Sequence, residues 1–154
     1  MNLQPGMTLY YLNRDCYNPN EIEQLIVPLT VTQHTEGYAA TSEMVSDTQV
    51  SLPLTPQQMV QYMDERFPVL FNEFADAKIR YDSEINAVNQ RISTLNKEEL
   101  IQELNVWKKP IAFVNEDIVK ELYQTWIEAG SALPNQAEVE VVKKRIAELF
   151  NVTL

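Results

Sequence analysis

The sequence predicts an α+β fold: a small N-terminal antiparallel β-sheet or partly closed barrel, followed by a mostly α-helical region with a long helical hairpin. Three observations predict it. Residues 1–54 contain short segments rich in β-formers between turn signals. At Thr55-Pro56 the sequence pattern changes from one typical of strands to one typical of helices. Apolar residues with a 3.5-residue repeat then form a seam over 69–95. We therefore expect two parts, a small acidic β-module at 1–54 and a helical region at 55–154.

The β-module is predicted from short apolar segments. Its strands are expected at 7–12 (MTLYYL), within 21–33, where apolar residues alternate, at 37–42 and at 49–54. Pro28 cannot donate a hydrogen bond to a neighbouring strand, so we expect it at an edge, at a bulge or at a break. A sheet of this size needs a helix from the second half of the chain to cover its apolar face.

The helical region is expected to begin at Thr55, which caps a helix whose first residue is Pro56. Pro68 ends that helix and opens the next one. Asn96 is expected to cap a further helix, because Glu99 three residues later completes a capping box. The predicted helices are a long one at about 69–95, return helices at about 97–107 and 115–129, and a C-terminal helix at about 135–150.

The long helix carries the apolar seam. Its seam positions are Phe71, Phe74, Lys78, Tyr81, Ile85, Val88, Ile92 and Leu95. We expect Phe67, Phe71 and Phe74 to pack on the β-sheet. The rest of the seam is either covered by residues 97–129, which we favour, or by another chain. The apolar face expected for the first return helix is formed by Leu100, Ile101, Leu104 and Trp107.

Charge and composition restrict the partners. The net charge is −10, and residues 1–54 hold six acidic residues against one basic residue, Arg14. Such a chain is repelled by phosphate backbones and anionic lipids, so neither direct nucleic-acid binding nor membrane binding is expected. We see no signal peptide and no transmembrane segment. A cytoplasmic location is therefore expected, or a virion-associated one if the chain comes from a bacteriophage.

No catalytic, cofactor-binding or metal-ligating set is found in the sequence. The chain has one histidine, His34, and one cysteine, Cys16, and the two form no known catalytic signature. Zinc, EF-hand and phosphate-loop motifs do not occur, and the three glycines lie far apart. We therefore expect a protein that is not an enzyme and needs no cofactor, with an enzyme of unrecognised class as an alternative.

The sequence is most consistent with a protein–protein interaction protein: an adaptor, assembly factor or structural subunit. A bacteriophage or mobile-element origin is our hypothesis for such a compact acidic chain. Its partner would be another protein or a second copy of itself, bound through the seam. The expected partner-binding residues are Tyr81, Ile85, Val88, Ile92, Leu95 and Asn96 of the hairpin, and Glu21, Glu23, Glu36 and Glu43 of the β-module. The alternative is an acidic inhibitor, of an anti-defence type, that occupies a basic nucleic-acid-binding surface.

Overall fold

The computed structural model describes residues 2–16, 20–44, 49–129 and 136–154. Within it the chain forms two compact units, Met1–Asp82 and Ser83–Leu154, which we call the sheet unit and the helical unit. A five-stranded antiparallel half-barrel sheet is followed by a mostly helical region. The predicted fold class is confirmed. The change from a strand-like to a helix-like sequence pattern at Thr55 lies inside the sheet unit, because chain segments that follow Thr55 pack with the strands.

The described residues of the sheet unit form five strands, two short helices and the first part of a longer helix. The strands are β1 (Thr8–Leu12), β2 (Ile26–His34), β3 (Gly37–Thr41), β4 (Ser51–Pro53) and β5 (Leu70–Phe71), and the helices are α1 (Ile22–Leu25) and α2 (Pro56–Tyr62). In the sheet the strands are ordered β4-β3-β2-β1-β5. The buried side chains on its packed face are Leu9, Leu29, Val31, Ala40, Leu54 and Leu70. Met59 and Tyr62 of α2 pack against them, so a helix covers the sheet as the sequence predicts.

Pro28 lies inside β2 and pairs with Tyr10 of β1. On the other side of β2, the pairing with β3 extends only from His34 back to Thr30. Pro28 therefore sits on a stretch of β2 that has a partner strand on one side. Its missing N–H is tolerated there because this stretch of β2 is a local edge of the sheet, one of the positions that the sequence predicted for Pro28.

Over its described residues, the helical unit contains the end of one long helix and three shorter helices. The four helices are α3 (Phe74–Ser93), whose first part belongs to the sheet unit, α4 (Lys97–Leu104), α5 (Glu116–Ala129) and α6 (Gln136–Phe150). The buried core of the unit is formed by Ile92, Leu100, Ile101, Leu104, Val119, Leu122, Trp126, Val142 and Ile146 of the helices, and by Val152, which follows α6. Apolar residues at helical spacing bring these side chains onto one face of each helix.

Local capping explains where two helices begin. The Thr55 hydroxyl accepts from the backbone N–H of Gln58 at 3.2 Å. The Asn96 side chain accepts from the N–H of Glu99 at 2.8 Å, and the Glu99 carboxylate accepts from the N–H of Asn96 at 3.2 Å. Both predicted caps are confirmed, including the reciprocal capping box that starts α4.

The long helix and its first return helix are shorter than predicted. α3 begins at Phe74, because Leu70 and Phe71 form β5 and pair with Tyr11 and Tyr10 of β1. α4 ends at Leu104, and an eleven-residue loop, 105–115, follows it. The expected helical position of Trp107 is therefore wrong. Strand pairing replaces the first turn of the predicted long helix, and a loop replaces the last turn of the predicted first return helix.

Candidate interaction surface

The hairpin residues expected to bind a partner are mostly covered within the chain. Tyr81 and Ile92 are buried, and Ile85 is half-buried. Val88 and Leu95 pack against the core of the helical unit. Asn96 is exposed, but its side chain caps α4. This part of the seam is used mainly inside the molecule.

The acidic residues expected to bind a partner are exposed on separate connections of the sheet unit. Glu21 and Glu23 lie at the start of α1, Glu36 lies in the β2–β3 turn, and Glu43 follows β3. Glu21 also accepts a hydrogen bond from the side chain of Gln24. These carboxylates thus lie on three connections rather than along one element.

The first seam residues contact the sheet unit in different ways. Phe71 lies in β5, and Phe74 meets Tyr10 of β1 edge to face, with ring centroids 6.0 Å apart. Phe67 is 62% exposed, yet the Arg14 guanidinium lies 4.1 Å from its ring centroid. Lys78 forms an ion pair with Asp82, one helical turn later.

The two residues considered for nucleophilic chemistry have unfavourable surroundings. Cys16 is buried, and burial raises the pKa of its thiol, which keeps the sulfur protonated and weakly nucleophilic. His34 is exposed, and its ring lies 3.0 Å from the Thr32 hydroxyl. Over the described ranges, no group of three or more His, Cys, Asp and Glu side chains is arranged to hold a metal ion.

The aromatic loop, which we define as residues 105–115, carries the densest exposed apolar surface of the described chain. Trp107 and Phe113 are each 65% exposed, and Val106 and Val114 are exposed as well. Only ten large hydrophobic residues are exposed in the ranges that the structure describes, and these four fall within nine positions. Several exposed apolar side chains on one short loop, with a tryptophan among them, are typical of a protein-binding site.

Hydrogen bonds from Asn105 shape the first half of the aromatic loop. The Asn105 Oδ1 accepts from the backbone N–H of Lys109 at 3.0 Å, and the Asn105 Nδ2 donates to the Lys109 carbonyl at 2.9 Å. Lys108 adopts a left-handed backbone conformation with φ 53°, which costs about 1 kcal/mol or more for a non-glycine residue. At the other end, Asn115 accepts from the N–H of Ile118 at 2.9 Å. Side-chain hydrogen bonds of two asparagines therefore fix the backbone at both ends of the loop.

A groove of about 810 Å³ adjoins the aromatic loop within the helical unit. Its apolar walls come from α4, the loop, α5 and the end of α6, and its polar rim includes two lysines. The lining residues are Lys97, Glu98, Ile101, Gln102, Asn105, Lys109, Ile111, Val114, Asn115, Glu116, Val119, Leu149, Phe150, Asn151 and Val152. The volume is within the range of sites that bind ligands or anchor side chains of a partner.

A second pocket, of about 490 Å³, adjoins Val106 and Lys108 of the same loop. Its wall includes Glu138 and the ion pair between Arg91 and Glu103. Burial raises the pKa of Glu138, with the Arg91 charge opposing this and nearby carboxylates adding to it. This pocket is smaller and more polar than the groove.

Comparisons with models of protein families, with curated proteins and with solved structures find no match to this chain. No helix among the described residues has the length and apolar character needed to cross a bilayer.

The aromatic loop is not predicted from the sequence, because Trp107 fits the apolar face expected for the first return helix. A signal was present in the run from Val106 to Val114. Apolar residues there flank Lys108, Lys109 and Pro110, and they follow no helical period. An apolar run that contains proline and lacks periodicity indicates a loop with exposed hydrophobic side chains.

Proposed function

We propose that this protein is a non-enzymatic protein–protein interaction protein that binds its partner through the aromatic loop. The observation that supports this most strongly is the exposure of Trp107 and Phe113, together with Val106 and Val114, on one short loop. Exposed apolar patches of this kind mark interaction sites. An adaptor, an assembly factor and a structural subunit would all use such a surface.

The surroundings of the two rings also favour a binding role. Neither the Trp107 ring nor the Phe113 ring makes an aromatic or cation–π contact with a described side chain. Their exposed area therefore adds little to the stability of the fold. When a partner covers the rings, the same area is removed from water, which stabilises the complex by about 25 cal/mol per Å² of apolar surface buried. Tryptophan and other aromatic residues are enriched where binding energy is concentrated.

The test is site-specific photo-crosslinking in the native host. A photoreactive phenylalanine analogue replaces Phe113 in one variant and Phe67 in a matched control, because the two phenylalanines are similarly exposed. We expect a discrete crosslinked partner from position 113, none of the same mass from position 67, and loss of the adduct when Trp107→Ala is added. Identical adducts from both positions, or no adduct at position 113, would contradict the proposal. Circular dichroism checks that each variant is folded.

A further inference from the structure

We infer that a groove of the sheet unit binds a basic segment of another protein, with an apolar side chain of that segment in the groove and a lysine or arginine beside Glu36. This groove, which we call the sheet groove, has a volume of about 890 Å³, and its described lining residues all belong to the sheet unit. The sheet groove is a second interaction surface, separate from the aromatic loop, and its partner goes beyond the proposed function.

Three segments form the sheet groove: the N-terminal residues 2–4, the β2–β3 turn with the start of β3, and α2 with the residues before it. Leu54 is buried there, and Tyr38 and Met59 pack against the core of the sheet unit. Met63 also lines the groove. Methionine side chains are flexible and polarisable, so these walls can adjust to apolar anchors of different shape.

Val60 of α2 adds exposed apolar surface to the same groove. It is 74% exposed, more than any other large hydrophobic residue in the described ranges. A groove of this volume with apolar walls and an exposed aliphatic side chain is suited to a few apolar anchors from a partner segment.

The charge that lines the sheet groove is negative. Glu36, in the β2–β3 turn, is the only charged side chain among the described lining residues, and it is exposed. No described cation lies within ion-pair distance of its carboxylate. A cation from a partner would therefore meet a carboxylate that has no ion pair to give up among the described residues.

The charge of the whole sheet unit has the same sign. The unit contains eleven acidic and four basic residues, a formal charge of −7. None of the four basic residues lines the sheet groove. Each has a partner inside the unit: Arg14 on the Phe67 ring, Arg66 on Asp64, Lys78 on Asp82, and Arg80 on the backbone carbonyls of Glu65 and Arg66. The local charge at Glu36 and the field of the unit therefore both attract a cation.

Charge complementarity selects the occupant. A second copy bound through the same groove would bring two acidic units together, and nucleic acid would bring phosphates against them, so both are repelled. A basic segment of another protein is attracted. Because the walls are apolar, that segment also needs a large apolar side chain next to its cation.

The experiment is selection on the full chain from a phage-displayed library of random linear peptides of about 12 residues, an extended length of roughly 40 Å. Affinities of selected peptides are then measured by fluorescence anisotropy in about 0.15 M salt, where charges are screened over about 8 Å. Circular dichroism checks that each variant is folded.

Two pairs of variants separate charge from apolar contact. Glu36→Lys reverses the charge at the groove, and Glu43→Lys makes the same change at the other end of β3. The five residues of β3 span roughly 16 Å, about twice the screening length. Val60→Ser removes apolar surface at the groove, and Ile79→Ser is its control, because Ile79 is 66% exposed in the same unit and does not line the groove.

We expect the wild type to select peptides that carry a net positive charge and a large aliphatic or aromatic residue. Glu36→Lys should weaken such a peptide by about fivefold or more, and Glu43→Lys by less than about twofold. Val60→Ser should weaken it by about threefold, and Ile79→Ser should leave it unchanged. Glu36→Gln, which keeps the size of the side chain, should give an intermediate loss and replaces Glu36→Lys if that variant is not folded.

The contrary results are distinct. Peptides that depend on Val60 but are neutral or acidic would overturn the basic partner. Equal effects of Glu36→Lys and Glu43→Lys would overturn the pairing with Glu36. If no selected peptide is weakened by Val60→Ser, binding in the sheet groove is overturned. The crosslinks from position 113 are measured separately, so none of these results changes the test of the aromatic loop.

Discussion

The exposed aromatic rings of the two units differ in their contacts with other side chains. In the sheet unit, Phe67 is 62% exposed and carries the Arg14 guanidinium over its ring, while Phe74 is 41% exposed and meets Tyr10 edge to face. In the helical unit, Trp107 and Phe113 are more exposed, and no such neighbour lies on either ring among the described residues. Phe67 is nearly as exposed as Trp107 and Phe113, but its ring contacts differ from theirs.

This difference shows that accessible area alone does not identify a binding site. An aromatic ring that contacts a cation or another ring contributes to the fold even when most of its surface is in water. A ring without such contacts contributes less to the fold, and we propose that a partner covers the two rings of this kind in the aromatic loop. The contrast leads to four predictions, in order of decreasing effect on the free energy of unfolding.

The largest effect is expected where an apolar side chain is buried in the helical unit. Leu104→Ala should lower the free energy of unfolding by about 3 kcal/mol, because it leaves a cavity among Ile92, Leu100 and the other core residues. Trp107→Ala, three residues later, should change it by less than about 0.5 kcal/mol. Urea unfolding followed by circular dichroism measures both. A comparable loss for Trp107→Ala would show that the ring supports the fold and is not free for a partner.

A smaller effect separates the two phenylalanines with similar exposure. Phe67→Leu keeps an apolar cover over Arg14 but removes the aromatic face, so it should cost about 1 kcal/mol. Phe113→Leu should cost much less, because no cation lies on that ring among the described side chains. Thermal unfolding of the two variants gives the comparison. Equal shifts in melting temperature would remove the distinction between the units.

A pH effect is expected in the helical unit. Burial raises the pKa of Glu138 above its ordinary 4.5, Arg91 opposes this, and the carboxylates of Glu103 and Glu84 add to the rise. A raised carboxyl pKa means that the folded state loses stability as pH rises from about 4.5 through the raised value. Glu138→Gln should therefore stabilise the protein at neutral pH and have less effect in acid. Unfolding at several pH values measures this, and a destabilised variant at neutral pH would mean that the Arg91 attraction dominates.

In the sheet unit, we expect a pH dependence of stability with the opposite sign to that caused by Glu138, and the smallest of the four effects. Hydrogen bonds from the side chain and backbone of Arg66, and its charge, lower the pKa of Asp64 from 3.8 to about 2. The pair contributes stability above pH 3.8, and this contribution is lost as pH falls through about 2. Asp64→Asn should make the free energy of unfolding less dependent on pH between about 2 and 3.8. Because the pair is exposed to solvent, high salt should reduce the difference, and a difference that persists in high salt would contradict this account.

Local hydrogen bonding explains what the sequence predicted well. Thr55 and Asn96 cap their helices through bonds to residues three positions away, so the relevant partners are visible in the sequence. The alternation that predicted β2 is found in its middle, where Leu29 and Val31 are buried and Thr30 between them is exposed. Such features depend on spacing along the chain, which a sequence states directly.

Long-range pairing explains what the sequence could not predict. Phe71 fits a helical seam, but pairing with Tyr10 some sixty positions earlier makes it part of a strand. Trp107 fits a helical face, but Asn105 bonds to Lys109 and the chain leaves the helix at Leu104. Periodicity identifies apolar positions, and only the folded chain shows which of them remain uncovered.

The lengths of the two edge strands have a consequence for aggregation. β4 spans three residues and includes Pro53, and β5 spans only two residues. Long, flat edges recruit strands from other molecules, whereas short edges and proline resist such addition. The half-barrel can therefore remain in a crowded cell without extending into a larger sheet, even though its strands are rich in β-formers.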